Sequence, residues 1–99
     1  MRNVLLSCLI AFAAPAGYAV VDCGRATTIP DRLVCSNDRL AEADDRMAAA
    51  FHQALRRGVD HDLLMRTQRE WKTRVRDVCT DVAYLLKAYE ERAAELDNL

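Results

Sequence analysis

Residues 38–58 read DRLAEADDRMAAAFHQALRRG, and this stretch decides the fold. Its apolar side chains recur at steps of three and four residues, the spacing that places them on one face of an amphipathic helix. They are Leu40, Ala43, Met47, Ala50, Phe51, Ala54 and Leu55. Arg56 and Arg57 suit the carboxyl end of such a helix, and Gly58 suits the left-handed backbone that often follows one. The stretch therefore predicts one long helix with a defined stop.

A shorter helix is predicted before this stretch. Thr28-Ile29-Pro30 combines a hydroxyl cap with a proline in the first turn, and the helix should end near Cys35. Ser36-Asn37-Asp38 then offers capping side chains for the long helix.

After the long helix, Asp60 is placed to cap a third helix, and an apolar stripe runs from Leu64 to Leu96. The stripe indicates either one long helix or two helices separated at Cys79-Thr80-Asp81, because threonine and aspartate cap helices better than they continue them. No segment shows the alternation of a strand. We predict an all-α fold, a small helical hairpin or bundle with a short amino-terminal helix folded against it.

The expected hairpin suggests a structural ion pair. If the chain turns at Val59-Asp60, Asp44 lies opposite Arg74 and both side chains flank the apolar face. A charge in that position needs a partner. We therefore predict an Asp44–Arg74 ion pair that fixes the register of the hairpin.

The amino-terminal residues predict export. Residues 1–19 read MRNVLLSCLIAFAAPAGYA, in which Arg2 precedes an uncharged apolar stretch and Gly17-Tyr18-Ala19 forms a small-x-small cleavage site. We expect a signal peptide over residues 1–19, a domain over residues 20–99 and a periplasmic or extracellular location. The apolar run is shorter than the roughly 20 residues of a membrane span, so we expect no integral membrane segment in the mature chain.

Charge and cysteine content describe the mature chain further. The full chain has 14 Lys+Arg against 15 Asp+Glu, and loss of Arg2 changes its formal net charge from −1 to −2. Neither nucleic acid nor acidic lipid is therefore an expected partner. Cleavage also removes Cys8 and leaves Cys23, Cys35 and Cys79, among which an oxidising compartment favours one disulfide. Three pairings are open, and one thiol is left over.

The mature chain has no catalytic or metal-binding pattern. His52 and His61 lack a second histidine or a cysteine at ligand spacing, and the adjacent Asp44 and Asp45 point to different faces of a helix. We expect no enzyme activity, no metal and no cofactor. The candidate partner-binding residues are instead the basic side chains on the outer face of the third helix, which are Arg66, Arg69, Lys72 and Arg76.

The residues also form a recognisable series. It runs Asp22-Cys23, Ala26-Thr27-Thr28, Leu33-Val34-Cys35, Leu40, Asp44, Phe51, Gln68-x-x-Trp71-x-x-Arg74-x-x-x-x-Cys79 and Tyr89-x-x-Arg92-x-x-x-Leu96. The series resembles the lysozyme inhibitor LprI-like family over nearly all of the mature chain. The resemblance implies a bacterial envelope protein whose partner is a protein, with lysozyme inhibition as the activity reported for a lipoprotein member.

Five residues of the family pattern bear most on function: Gln68, Trp71, Arg74, Tyr89 and Arg92. The first four lie on or beside the inner stripe. We interpret these four as determinants of the fold first and as a ligand surface second.

The chain departs from the family pattern at two points. We expect it to lack lipidation, and many relatives carry a fourth cysteine where Tyr84 stands here. If the family pairs its cysteines locally, the resemblance implies a Cys23–Cys35 disulfide with Cys79 as a free thiol, which we favour. If pairing crosses the hairpin, Cys79 is bonded to one of the other two. The alternative function is a structural or adaptor envelope protein that binds another protein through its hairpin, with Cys79 at the contact.

Overall fold

The computed structural model describes residues 21–99, so the expected signal peptide, residues 1–19, lies outside the described part of the chain. The fold is all-α, as predicted, and the described residues contain no strand. After a 3₁₀ turn at Cys23–Arg25, the helices are α1 (Ile29–Ser36), α2 (Asp38–Arg56), α3 (His61–Trp71) and α4 (Val82–Asp97). A π-helical turn, Lys72–Arg76, continues α3.

Each of the four helices begins at a side-chain cap. The capping oxygen in every case accepts a hydrogen bond from the backbone N–H three residues further on, which satisfies one otherwise unpaired donor of the first turn. The caps are Thr28 (3.2 Å), Asn37 (3.1 Å), Asp60 (2.8 Å) and Asp81 (3.0 Å). The cap at Asp81 settles the open choice, since the stripe after Asp60 forms two helices.

The stop after α2 forms as predicted. Gly58 has a φ of +93°, a left-handed conformation that glycine adopts without a steric penalty. The N–H of Gly58 donates to the carbonyl of Leu55, and the N–H of Val59 donates to that of Ala54. These two bonds make the Schellman motif that satisfies the last carbonyls of a helix.

The main partner of α2 is α4, not α3. The side chains that meet in this core are fully enclosed; they are Leu40, Met47 and Phe51 from α2 and Leu85, Tyr89 and Leu96 from α4. Each large apolar side chain buried in this way stabilises the fold by about 1.5–3 kcal/mol. The predicted hairpin between α2 and α3 was therefore wrong. The apolar face of α4 is the more continuous one, whereas α3 contributes mainly Leu64 and Trp71 to the core.

The π-helical turn changes which side chains face the core. The N–H of Asp77 donates to the carbonyl of Lys72 at 2.8 Å, a bond that spans five residues and inserts one residue relative to an α-helix. After Trp71 the inward position consequently falls on Arg76. Arg74 and Val75, which regular spacing would turn inward, are exposed.

Cys23 and Cys35 form a disulfide with 5.7 Å between their Cα atoms, as the locally paired arrangement predicted. The bond ties the segment before α1 to the end of that helix. Cys79 is the free thiol of the described residues. Within residues 21–99, no helix has the length and apolar character needed to cross a membrane.

Candidate functional site

Arg76 is the most enclosed charged residue of the described chain, with only 1% of its surface exposed. Its Nε donates to the Tyr89 hydroxyl at 2.8 Å, and its two terminal nitrogens donate to the carboxylates of Asp77 and Asp31, each at 2.6 Å. Burial alone would lower the pKa of Arg76, but Tyr89 and the Asp31 carboxylate raise it above its ordinary value. The guanidinium therefore stays charged and joins α1, the π-helical turn and α4.

This position corrects one candidate for partner binding. Arg76 was expected on the outer basic face of the third helix, yet the inserted residue of the π-helical turn rotates it into the core. A side chain that is fully bonded inside the fold cannot also contact a partner. Arg76 therefore has a structural role.

The predicted Asp44–Arg74 ion pair was also wrong. Arg74 is exposed and makes no ion pair with any residue from 21 to 99. Asp44 is buried with 3% exposure, and its Oδ2 accepts a hydrogen bond from the backbone N–H of Val21 at 3.3 Å. The helix that faces Asp44 is α4, so the carboxyl meets Tyr89 instead of an arginine of the third helix.

Burial dominates the electrostatics between Asp44 and Tyr89. It raises the pKa of Asp44 to about 6, against the opposing effects of the Tyr89 hydroxyl, the Val21 N–H and the Arg76 charge. Burial and the Asp44 carboxylate raise the pKa of Tyr89 above its ordinary value, so this phenol remains protonated at neutral pH. Tyr89 thus accepts a hydrogen bond from Arg76 and presents its own proton towards Asp44.

A second buried cluster surrounds Arg92. Its Nε donates to Gln68 Oε1 at 2.9 Å, one terminal nitrogen donates to Thr67 Oγ1 at 3.0 Å, and the other reaches the exposed Glu95 carboxylate at 3.2 Å. Gln68 in turn donates through Nε2 to the sulfur of Met47 at 3.0 Å. Apart from Glu95, the side chains of this cluster are enclosed. Their hydrogen bonds connect α4 to both α3 and α2.

Trp71 packs against Tyr89 of the first cluster. Its ring packs edge-on against that of Tyr89, with the centroids 5.4 Å apart, a preferred geometry for aromatic pairs. Gln68, Trp71, Tyr89 and Arg92 are thus all buried and form internal contacts. These four residues hold the helices together, whereas Arg74, which was also expected to be a determinant of the fold, lies on the surface.

The outer face of α3 keeps part of the predicted basic surface. Arg66 and Arg69 are exposed and form no ion pair with another described residue. Lys72 is exposed as well, but its ammonium lies 3.1 Å from the Asp77 carboxylate. Arg66 and Arg69 are therefore the cations of this face that are available for a partner.

A groove that the sequence did not reveal lies between the end of the π-helical turn and the start of α4. It has a volume of about 540 Å³ and includes the free thiol of Cys79. Three large side chains beside it are unusually exposed: Val75 (41%), Val78 (67%) and Tyr84 (70%). Regular helical spacing assigned Val75 and Val78 to the core, so the π-helical turn accounts for the exposure of these two side chains.

The Cys79 thiol is poorly suited to nucleophilic chemistry. Its Sγ donates to the carbonyl of Val75 at 3.2 Å. Burial and the nearby Asp81 carboxylate raise its pKa, which reduces the population of the reactive thiolate. Within residues 21–99, no three His, Cys, Asp or Glu side chains are grouped closely enough to hold a metal ion.

Comparison with known proteins finds no counterpart for this chain, since no protein-family model, no curated protein and no solved structure matches it. The functional argument therefore rests on the geometry of the chain itself. That geometry offers two exposed surfaces, the arginine pair on α3 and the groove at Cys79.

Proposed function

We propose that this chain is an exported helical module that binds a protein, and that the partner is a lysozyme, which it inhibits. The observation that carries the proposal is the exposure of Arg66 and Arg69 without an internal ion pair on the outer face of α3. The residue series that resembles the LprI-like family supports the same partner. Export, which residues 1–19 suggest, would bring the two proteins into one compartment.

The chemistry of the partner suits this surface. A lysozyme cleaves its substrate between two carboxyl groups in an open cleft. Arginine pairs well with carboxylates because its planar guanidinium can donate two parallel hydrogen bonds. Arg66 and Arg69 stand three residues apart on one helix and therefore project from the same side. Both can reach into one acidic cleft.

An inhibition assay with matched variants tests this proposal. The purified mature chain at micromolar concentration should inhibit at least one of several lysozyme types. Replacement of Arg66 and Arg69 together by alanine should weaken inhibition tenfold or more, a loss of about 1.4 kcal/mol in binding free energy. The control replaces Arg39 and Arg56 by alanine, which removes the same charge from exposed positions of α2. Full activity of every lysozyme in the presence of the unsubstituted chain would overturn the proposal.

The groove supports a second candidate function, that of an adaptor for another envelope protein. Exposed apolar side chains that cluster around a concave site are typical of protein-binding surfaces. The occupant that fits the groove is an apolar helix face, since Val75, Val78 and Tyr84 offer contact area with only Asp81, Lys87 and Glu91 as charged neighbours.

The two candidates differ in a measurable way. A pull-down from envelope extract should recover one specific partner that the variant Val78→Ser/Tyr84→Ser fails to retain, while inhibition of lysozyme is unaffected. Repeating the pull-down with reductant asks whether Cys79 is bonded to the partner. Equal recovery by the variant and the unsubstituted chain would eliminate the groove as the binding surface.

A further inference from the structure

A further pocket lies between the start of α3 and the end of α4, with a volume of about 470 Å³. We refer to it as the α3–α4 pocket. Its lining residues are Leu63, Thr67, Arg92, Glu95, Asn98 and Leu99, none of which lines the groove at Cys79. Two of its apolar side chains remain exposed, Leu63 by 38% and Leu99 by 53%. Large apolar side chains that stay exposed around one concave site are typical of interaction surfaces.

The polar side chains of the α3–α4 pocket are bonded within the chain. Arg92, whose side chain is only 8% exposed, donates to the Glu95 carboxylate at 3.2 Å and to the Thr67 hydroxyl at 3.0 Å. Asn98 donates through Nδ2 to the carbonyl of Ala94 at 2.8 Å. The two charged side chains of the pocket are thus paired with each other. An apolar occupant suits the pocket best, because a charged occupant would compete with that ion pair.

The α3–α4 pocket adjoins the arginine pair on the outer face of α3. Leu63 stands three residues before Arg66 on the same helix, so the two side chains are neighbours on its surface. Arg69 follows three residues later. The pocket and the two exposed cations therefore form one continuous surface, with a positive part and an apolar part.

A lysozyme cleft has the chemistry that matches both parts. Of its two carboxyl groups, one stays ionised, and the other serves as the general acid. The acid keeps its proton at neutral pH because apolar side chains around it raise its pKa. Such a cleft therefore presents a negative charge and, close to it, apolar side chains. A guanidinium beside an apolar pocket is the complementary arrangement.

We propose that the α3–α4 pocket receives an apolar side chain of the lysozyme cleft while Arg66 and Arg69 bind its ionised carboxylate. The inference rests on the function proposed above and adds the apolar half of the recognition surface. It makes Leu63 and Leu99 determinants of which lysozyme is bound, since a few anchors in well-packed pockets carry most of the binding free energy of an interface. Contacts of this kind slow dissociation, whereas exposed charges mainly speed association.

Inhibition measured at two salt concentrations separates the two halves of the surface. The variant Leu63→Ala/Leu99→Ala should inhibit about tenfold more weakly than the unsubstituted chain. This difference should persist at about 0.5 M salt, whereas the loss caused by Arg66→Ala/Arg69→Ala should shrink there, because salt screens exposed charges and not apolar contacts. Replacing both leucines by methionine preserves apolar contact area and should retain inhibition.

The matched control removes two exposed aliphatic side chains elsewhere. Ile29→Ala/Val78→Ala should leave inhibition unchanged, and the Tm of each variant shows that it is folded. An equal loss in the control, a loss at the leucines that vanishes at high salt, or full inhibition by Leu63→Ala/Leu99→Ala would each overturn this inference and leave the proposed partner in place. If the unsubstituted chain inhibits no lysozyme, the proposed function is wrong and this inference fails with it.

A second measurement needs no substitution and therefore does not depend on the folding of a variant. In the ¹³C-methyl NMR spectrum of the unsubstituted chain, the signals of Leu63 and Leu99 should shift when an inhibited lysozyme is added. The signal of Ile29, on α1, should not. Unshifted leucine signals in a fully formed complex would place the α3–α4 pocket outside the interface and overturn the inference.

Discussion

The two buried arginines show how differently one fold can accommodate the same charge. Arg76, in the π-helical turn, is held by two carboxylates and a tyrosine hydroxyl, and it joins three parts of the chain. Arg92, in a regular helix, is bonded to the neutral Gln68 and Thr67 and reaches only one exposed carboxylate, that of Glu95. Arg76 neutralises the negative charge of two carboxylates, whereas Arg92 mainly donates hydrogen bonds to neutral polar groups. Their removal should therefore have unequal consequences.

Replacing Arg76 by alanine should have the largest effect on stability. The change leaves Asp31, Asp77 and the Tyr89 hydroxyl without their shared donor, and breaking a buried ion pair in this way costs about 3–5 kcal/mol. Urea unfolding followed by circular dichroism measures the loss. Arg74→Ala, two residues earlier in the same turn but on the surface, is the control and should change stability by less than about 0.5 kcal/mol. Similar losses of unfolding free energy in both variants would mean that the hydrogen bonds donated by Arg76 do not stabilise the fold as expected.

Replacing Arg92 by methionine should cost less, about 1–3 kcal/mol. Methionine retains most of the buried aliphatic volume, so the loss comes chiefly from leaving the buried Gln68 oxygen unpaired. The same unfolding experiment applies, with Arg39→Met on the exposed face of α2 as the control. If Arg92→Met lowers the free energy of unfolding more than Arg76→Ala does, hydrogen bonds to neutral partners stabilise this fold more than the buried ion pairs do.

The π-helical turn itself can be tested by deleting one residue. Removing the exposed Thr73 should convert the turn into ordinary helix and place Arg76 four residues after Trp71, still on the inner face. We expect a cost of no more than about 1–2 kcal/mol. Deleting Arg69 from the regular part of α3 is the matched control, because it rotates Trp71 away from Tyr89 and should be far more destabilising. If both deletions lower the free energy of unfolding by the same amount, the turn is not a one-residue insertion.

The same contrast explains what the sequence could predict. Thr28, Asp60 and Gly58 act locally, so their roles could be inferred from neighbouring residues alone. Met47, Phe51 and Tyr89 lie in uninterrupted helix, where regular spacing identifies the buried face. Spacing fails between Trp71 and the end of that helix, since one inserted residue shifts the side chains there by about 100°. That single shift accounts for the errors at Arg74 and Arg76 and for the overlooked apolar groove.

The pairing of the helices could not be derived in the same way. A hairpin between consecutive helices is the usual expectation, yet α2 prefers the richer apolar face of α4. The pairing that forms places Asp44 against Tyr89. Periodicity along one helix carries no information about which other helix it meets, and so the contact between Asp44 and Tyr89 could be found only in three dimensions.

The two arginine clusters should also differ in their response to pH. Only the Arg76–Tyr89 cluster adjoins a buried carboxyl, Asp44, whose pKa is raised by burial from 3.8 in the unfolded chain to about 6. An acid with a raised pKa favours the folded state when protonated. Its contribution is therefore complete below pH 3.8 and is lost as the pH rises through about 6. In urea unfolding, Asp44 should therefore make the chain about 1 kcal/mol more stable at pH 5 than at pH 7.

Comparison with Asp44→Asn isolates that contribution. The Asp44→Asn chain retains every other titratable group, so the difference between the two pH profiles reports Asp44 alone. Arg92→Met should leave this difference unchanged, because its cluster holds no buried acid. If the Asp44→Asn chain gains as much stability at pH 5 as the unsubstituted chain, burial does not raise the pKa of Asp44 as expected.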